Sequence, residues 1–187
     1  MEWANDIFAA ATGYQQAILM LYGAHAGGRF LVRSAERWYV DAVAPLFRTH
    51  PYLQRRKEPG KPDYWTIKSA AVRVSCNLST VTDWQGFCRG VLELQGCLSP
   101  GWRKPRGGGD PIPYARIRLY GQPELLTAWA QHVPAAPKKV QEHRTQNGTT
   151  YVLYYQSRAE VADILSALRG DPCSRDFWQR ADAVIIP

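Results

Sequence analysis

The chain is most informative at Phe87-Cys88-Arg89-Gly90-Val91-Leu92-Glu93-Leu94-Gln95-Gly96. Apolar residues recur there at three- and four-residue steps, which predicts a helix, and Asp83 precedes it as a helix cap. Gly96 ends the helix, since glycine readily adopts the conformation that follows a last turn. The residue before it, Gln95, is an amide, and a divalent cation prefers charged oxygen. The sequence predicts a helix that packs well and holds metal poorly.

A strand, a helix and a hairpin are predicted after this helix. Residues 97–102 and 114–120 read as strands on either side of a glycine-rich loop, and Pro123 opens a helix that runs to about His132. Asn147-Gly148 is a strong hairpin signal. The hairpin strands are 138–144 and 149–156, and helices are expected at 158–168 and 176–184.

The same order of elements is predicted before residue 80. Helical periodicity runs from Ile7 to Tyr22 with a break near Gly13, a strand covers 29–33, and Ser34 caps a helix over 35–47. Two strands, 52–56 and 64–68, flank a Pro59-Gly60 turn. We therefore expect two copies of one α+β unit, at 1–80 and 81–187, with the first copy short of a strand.

Composition limits the class of protein. Hydrophobic residues make up 45% of the 187 residues and aromatic residues 12%, which supports a packed core. No apolar run is long enough to span a membrane, and the acidic N-terminus does not resemble a signal peptide. The four cysteines lack zinc-site spacing, so we expect reduced thiols, no bound metal or other cofactor, and a cytoplasmic location.

Charge favours a polyanionic partner. The net charge is +7 and the pI is about 9.4. The strand 114–120 alternates apolar residues with Tyr114, Arg116, Arg118 and Tyr120, a combination suited to phosphates and base edges. Fourteen basic residues are predicted to bind nucleic acid: Arg29, Arg33, Arg55, Arg56, Lys57, Lys68, Arg103, Lys104, Arg106, Arg116, Arg118, Lys138, Lys139 and Arg144.

The chain resembles the LAGLIDADG homing endonuclease family. The resemblance rests on the 87–96 helix, the basic strand 114–120 followed by Pro123-Glu124-Leu125-Leu126, the strand 151–156 before a helix, and the basic-aromatic segment 174–180. The motif helix of a degenerate first copy is placed at Leu19-Met20-Leu21-Tyr22-Gly23-Ala24-His25-Ala26-Gly27, before the basic strand 29–33. The resemblance implies two αββαββα half-domains related by a pseudo-twofold axis, with central motif helices and two antiparallel sheets forming a saddle over duplex DNA.

The resemblance also implies one metal-binding acid at the end of each motif helix. The matching positions in this sequence are read as Ala26 and Gln95, and neither can supply a negative charge. No catalytic residue is therefore assigned. Glu93 is the nearest substitute, and Mg²⁺ would be needed only if such a substitute restored cleavage.

The sequence thus predicts a monomeric, non-cleaving duplex-DNA-binding protein. It resembles the WhiA-type regulators in its loss of the catalytic acids, which suggests a regulatory role. Three alternatives stay open: a metal-dependent site-specific DNA endonuclease using Glu93 or Asp110, a maturase-like RNA-binding splicing cofactor, and a basic interaction protein with no nucleic-acid role.

Overall fold

A computed structural model describes residues 6–56, 59–70, 72–146 and 148–185. Contacts divide the chain into two compact units, Met1–Val91 and Leu92–Pro187. The helices are α1 (Ile7–Ala10), α2 (Gly13–Tyr22), α3 (Arg37–Phe47), α4 (Trp84–Gln95), α5 (Pro123–His132), α6 (Arg158–Leu168) and α7 (Arg175–Ile185), with one 3₁₀ turn at Leu78–Thr80. The strands are β1 (Gly23–Ala26), β2 (Arg29–Ser34), β3 (Tyr52–Gln54), β4 (Tyr64–Ser69), β5 (Gly96–Arg103), β6 (Ile112–Gly121), β7 (Gln141–Thr145) and β8 (Gly148–Tyr155).

Each unit contains one antiparallel four-stranded sheet, and the two sheets have the same topology. The strand order is β1-β2-β4-β3 in the first and β5-β6-β8-β7 in the second. In both sheets the first strand follows directly from a motif helix, α2 or α4. This confirms the predicted α+β class and the repeated order of elements. The boundary between the two compact units falls inside α4, after Val91. The boundary between the two sequence repeats, predicted after residue 80, is a different one and stays a prediction.

The first motif helix is shorter than predicted. It ends at Tyr22, and Gly23 leaves it in an extended conformation while its N–H still donates to the Leu19 carbonyl. Residues 23–26 then form β1, which pairs with β2 through a tight turn at Gly27 and Gly28. Both glycines have positive φ, 55° and 70°, which side chains rarely adopt. The prediction of a helix to Gly27 was wrong, and β1 is the strand that the first copy was thought to lack.

The core of the second unit lies between one face of its sheet and the helices α5 and α6. Ala115, Ile117 and Leu119 alternate along β6 as buried residues, because successive side chains of a strand point to opposite faces. They share the core with buried residues of the neighbouring elements: Leu125, Leu126, Trp129, Leu153, Tyr155, Val161, Ile164 and Leu165. The opposite face of the sheet is left open.

Small residues allow α2 and the first turns of α4 to approach closely within the first unit. A Cβ atom added at Gly90 would lie 2.7 Å from the Ala17 Cβ, and one added at Gly86 would lie 3.1 Å from the Tyr14 backbone nitrogen. Gly13 is more confined, since its Cβ would lie 1.9 Å from the Asp83 carbonyl oxygen. Close helix packing therefore depends on residues that carry little or no side chain.

Replacement of Gly90 by alanine is expected to destabilise the fold. Glycine to alanine inside a helix normally gains up to about 1 kcal/mol of stability. Here the new methyl group would clash with Ala17, and overpacking typically costs about 1–3 kcal/mol. Chemical denaturation should therefore show a lower free energy of unfolding for Gly90→Ala. Adding Ala17→Gly should recover most of the loss, and Gly107→Ala, in open space, serves as the control. A stabilised Gly90→Ala variant would contradict this packing.

Most other elements agree with their predicted bounds, but the prediction that Ser34 caps a helix from residue 35 was wrong. Ser34 ends β2, its Oγ accepts the Glu36 N–H at 3.0 Å, and α3 begins at Arg37. The helices α5 and α6 span the residues expected for them, and Asp83 caps α4 through its side chain, which accepts from the Gly86 N–H at 2.8 Å. The strand β7 begins at Gln141, three residues later than expected, so Lys138 and Lys139 precede it. The predicted turn residue Asn147 lies outside the described residues. Within the described part of the chain, no helix is both long and apolar enough to cross a membrane.

Candidate nucleic-acid interface

The open face of the second sheet is formed by arginine and tyrosine side chains. Arg116 and Arg118 alternate along β6 with the buried residues of the core and are partly exposed. The Arg116 guanidinium lies 5.6 Å from the centre of the Tyr114 ring, a cation–π arrangement. Strand pairing places Tyr154 of β8 directly opposite Arg118. The predicted division of β6 into an apolar and a basic-aromatic face is confirmed.

Arg118 is held in place by β5. Its Nη2 donates to the Cys97 Sγ at 3.3 Å and to the Ser99 Oγ at 3.4 Å. The hydrogen bond from the Ser99 hydroxyl lowers the pKa of the Cys97 thiol, and the hydrogen bond and positive charge of Arg118 lower it further. Partial burial acts in the opposite direction but does not cancel these effects. By contrast, burial raises the pKa of Cys88 to about 12. Cys97 is thus a partly exposed thiol of increased acidity on the basic face.

The open face of the first sheet forms a shallow groove of about 560 Å³. Arg29, Arg33 and Lys68 supply its positive charge, and the ammonium group of Lys68 lies 5.5 Å from the centre of the Tyr52 ring. Uncharged polar residues such as Gln54 and apolar residues such as Leu31 complete the lining. A groove with three cations on an open sheet is suited to a phosphate backbone.

Neither open face carries a carboxylate on its strands. The registers place on the first face residues 24, 26, 29, 31, 33, 52, 54, 64, 66 and 68, none of which is acidic. The same holds for the strand residues that share the face of Arg116 and Arg118 in the second sheet. Among the described residues, Arg29, Arg33, Lys68, Arg116 and Arg118 form no ion pair. Their charges are therefore available to an external anion.

Comparison of the two registers shows which positions are equivalent. Gly23 pairs with Val32, and Gly96, the corresponding glycine, pairs with Leu119. Val32 and Leu119 are therefore equivalent. Arg29 lies three residues before Val32, and Arg116 lies three residues before Leu119, so these two arginines also correspond. The next open-face positions differ: Leu31 corresponds to Arg118, and Arg33 to Tyr120. In the third strand of each sheet Lys68 corresponds to Tyr154. The first face thus places cations where the second places tyrosines.

Some predicted basic residues lie away from these faces. Arg144 pairs with Thr149, which puts it on the core side of the second sheet, and it binds Glu142 at 2.6 Å. Lys138 precedes β7 and binds the Glu160 carboxylate of α6 at 2.5 Å. The prediction that Lys138, Lys139 and Arg144 lie on one strand was wrong, because β7 begins at Gln141. Their binding of nucleic acid stays a prediction.

The remaining predicted residues lie at the ends of hairpins. Arg103 ends β5, and Lys104 and Arg106 follow it in the exposed loop before β6. Arg55 and Arg56 follow β3; the Arg56 guanidinium lies 4.7 Å from the centre of the Tyr64 ring. Lys57 lies outside the described residues. Strand registers add open-face residues that sequence reasoning missed: Tyr52, Gln54, Ser99, His143 and Tyr154.

The two motif helices end in uncharged side chains. Helix α4 ends at Gln95 before Gly96, as predicted, and α2 ends at Tyr22 before Gly23. The residue equivalent to Gln95 is therefore Tyr22. The assignment of Ala26 to this position was wrong, because Ala26 lies in β1 opposite Arg29. Partial burial, with the charge of Glu36, raises the pKa of the Tyr22 phenol, so it stays neutral near pH 7.

Glu93 is engaged inside the second unit. It is only 8% exposed, its Oε2 accepts the Ser174 backbone N–H at 3.0 Å, and its Oε1 accepts the Trp178 indole N–H at 2.7 Å. Both carboxylate oxygens thus connect α4 to the start of α7. In the described part of the chain, no cluster of three or more histidine, cysteine or acidic side chains is arranged to hold a metal ion.

This combination of sheets and motif helices matches solved structures across nearly the whole chain. A crystal structure of the I-LtrWI LAGLIDADG homing endonuclease bound to target DNA aligns with a TM-score of 0.64 at 7% identity, covering 96% of this chain and 89% of the other. This protein has the LAGLIDADG fold. The LAGLIDADG meganuclease I-AabMI bound to uncleaved DNA aligns with a TM-score of 0.58 at 10% identity, over 91% and 90% of the two chains.

The LAGLIDADG fold is also found in DUF199/WhiA. The N-terminal LAGLIDADG domain of DUF199/WhiA aligns with a TM-score of 0.51 at 13% identity, over 97% of this chain and 90% of that domain. No protein-family model and no curated protein sequence matches this chain. At these identities the similarity establishes the LAGLIDADG fold, and function must be argued from the residues themselves.

Proposed function

We propose that this protein binds duplex DNA through the open faces of its two sheets and does not cleave it. The observation that carries the proposal is the pair of equivalent arginines, Arg29 and Arg116, on open faces whose strands bear no carboxylate. Such faces attract a polyanion and leave arginine free to donate to phosphates or guanine. The solved LAGLIDADG structures described as bound to DNA support the same partner.

The proposed contacts divide by chemistry. Arg29, Arg33, Arg116 and Arg118 extend from strands, where their positions are fixed well enough to read base edges. Arg55 and Arg56, and also the loop that begins at Arg103, lie at the ends of hairpins and would contact the phosphate backbone.

The absence of cleavage is proposed from the residues at the ends of the motif helices. The resemblance to homing endonucleases implies an acid there, whereas this chain has Tyr22 and Gln95. A neutral phenol and an amide are poor ligands for Mg²⁺, which favours carboxylates and water. Glu93 cannot replace them without giving up its hydrogen bonds to Ser174 and Trp178. Binding without cleavage is suited to a regulatory role, which we include in the proposal.

One titration tests binding and cleavage together. The affinity for a mixed-sequence duplex is measured over a range of salt concentrations with Mg²⁺ present, and the products are separated on a denaturing gel. We expect micromolar or tighter binding, a steep loss of affinity with salt, and intact strands. Mg²⁺-dependent nicks would revive the endonuclease alternative. Tighter binding to a structured RNA of equal length would favour the splicing-cofactor alternative.

Cys97 provides a chemical probe of the proposed interface. Its lowered pKa increases the thiolate fraction near neutral pH, so iodoacetamide should modify it readily. We expect duplex DNA to slow this modification, because bound DNA would cover the face that Cys97 shares with Arg118. Cys76 lies outside both sheets and serves as the internal control; desolvation and the charge of Asp6 raise its pKa to about 11, so its own modification is slower. Peptide mass spectrometry with and without DNA gives the two rates, and equal slowing at both cysteines would argue against a specific interface.

A further inference from the structure

The two open faces differ in a way that nucleic acid can distinguish. At equivalent positions the first face has Arg33 and Lys68, whereas the second has Tyr120 and Tyr154. A lysine or an arginine attracts a phosphate whatever the state of the bases. A tyrosine adds little attraction for phosphate, but its ring can stack on a base. The second face is therefore built for a contact that the first face lacks.

Tyr120 and Tyr154 lie beside the arginine at the centre of the second face. Tyr154 is the direct cross-strand partner of Arg118, and Tyr120 is next but one along β6. Both phenols lie close enough to Arg118 to interact with its charge. The two rings are diagonal neighbours across β6 and β8, with Cα atoms about 7–8 Å apart by standard sheet geometry. They form two separate platforms beside Arg118, whose guanidinium is held on the β5 side of β6 by Cys97 and Ser99.

Paired bases cannot use these platforms. Inside a duplex each base is already stacked on its neighbours, and only its edge is presented in a groove. A base leaves the stack at a bubble, a mismatch or a flipped nucleotide, and there its flat face becomes free to meet an aromatic ring. Tyr114 is less suited to this role, because the Arg116 guanidinium already lies over its ring.

We propose that the second sheet binds unpaired nucleotides by stacking them on Tyr120 and Tyr154, with Arg118 holding a phosphate or base edge beside them. The preferred ligand is then duplex DNA that contains a short unpaired segment. This inference rests on the proposed function, since the cations of the first face would bind paired DNA. It adds the requirement that the DNA strands be locally separated at the second face.

Two DNA probes and three variants test the proposal. The probes are a paired duplex and the same duplex with a short central bubble, and the variants are Tyr120→Leu/Tyr154→Leu, Tyr120→Phe/Tyr154→Phe and, as a control on the first face, Tyr52→Leu. The intact protein should bind the bubble at least about fivefold more tightly than the paired duplex, the lower end of what one stacked base contributes. The leucine pair should abolish that ratio, and the phenylalanine pair should retain it, since phenylalanine stacks without a hydroxyl.

The outcomes separate this inference from the proposed function. Equal affinity of the intact protein for both probes would overturn the stacking role while leaving duplex binding intact. The stacking role would also be overturned if the leucine pair still preferred the bubble to the paired duplex, or if Tyr52→Leu abolished that preference to the same extent. Tighter binding to an RNA duplex with the same bubble, used as a third probe, would reject DNA as the ligand. Failure to bind either DNA probe would instead contradict the proposed function itself. Circular dichroism and a thermal unfolding curve confirm that each variant is folded.

Discussion

Replacing both Arg116 and Arg118 with alanine should weaken binding to duplex DNA by about 1–3 kcal/mol for each base contact that is lost. The physical reason is the position of these side chains on a rigid central strand of the second sheet. Arg118 is already oriented by Cys97 and Ser99, and Arg116 lies against Tyr114, so little side-chain entropy is lost on binding. Equilibrium titration of wild type and variant at several salt concentrations gives the change.

The matched control for this experiment is Arg144→Ala. Arg144 belongs to the same sheet and carries the same charge, but it lies on the core side and is paired with Glu142. Removing it changes the net charge without touching the open face, so affinity should fall only slightly. The double variant should also lower the dependence of affinity on salt, because fewer counterions would be released. Equal losses for Arg144→Ala and for each single variant, Arg116→Ala or Arg118→Ala, would show that overall charge, not this face, governs binding.

Much of the fold was predictable because its local signals agree with one another. Asp83 before α4, Gly96 after it, and Pro123 at the start of α5 mark helix ends with residues whose backbone preferences are strong. The alternation along β6 fixes which residues face the core. These signals act over a few residues, so the sequence carries them directly.

The missed strand β1 shows where such reasoning fails. The segment from Leu19 to Gly27 begins with apolar residues at helical spacing and contains alanine, which favours a helix. Tertiary contacts override this preference after Tyr22. A Cβ atom on Gly23 would lie 2.2 Å from the Leu19 carbonyl oxygen and 2.3 Å from the Phe30 ring, so the chain can pass closely only at a glycine. The Gly27-Gly28 turn then returns the chain to pair with β2.

The candidate site depended on strand register, which the sequence does not reveal. Arg33 and Arg118 look equivalent as the second arginine of each pair, yet pairing shows that Arg118 corresponds to Leu31. Likewise Arg144 belongs to a basic hairpin in the sequence but points away from the open face, since a shift of one residue moves a side chain to the opposite face. Pairing across strands, and not composition, decides which charges act together.

Glu93 illustrates how a residue that invites a catalytic interpretation can have a structural role. Its charge is almost fully buried, which would be costly if the carboxylate were not hydrogen-bonded. The Ser174 N–H and the Trp178 indole N–H satisfy it, and they lie at the start of α7, far along the chain. The carboxylate thus fastens the last helix of the second unit to the motif helix.

Glu93→Ala should therefore reduce the free energy of unfolding by about 2–5 kcal/mol, because two buried donors lose their acceptor at about 1–3 kcal/mol each and a cavity is left. Glu93→Gln should cost less, since its amide oxygen still accepts one of the two hydrogen bonds. Asp163→Asn, an exposed carboxylate-to-amide change on α6, is the matched control and should be nearly neutral. Urea unfolding of the three variants measures these differences.

A double-mutant cycle with Trp178→Phe isolates the interaction. Phenylalanine removes the indole N–H, so Glu93→Gln should cost less in that background than in wild type, with a coupling of about 0.5–3 kcal/mol. A metal-binding role for Glu93 would give a different pattern: Glu93→Gln would abolish Mg²⁺-dependent nicking and leave the unfolding free energy unchanged. Because both carboxylate oxygens accept buried hydrogen bonds, we expect the reverse pattern. Glu93→Gln should lower the free energy of unfolding and leave DNA strands as intact as wild type does.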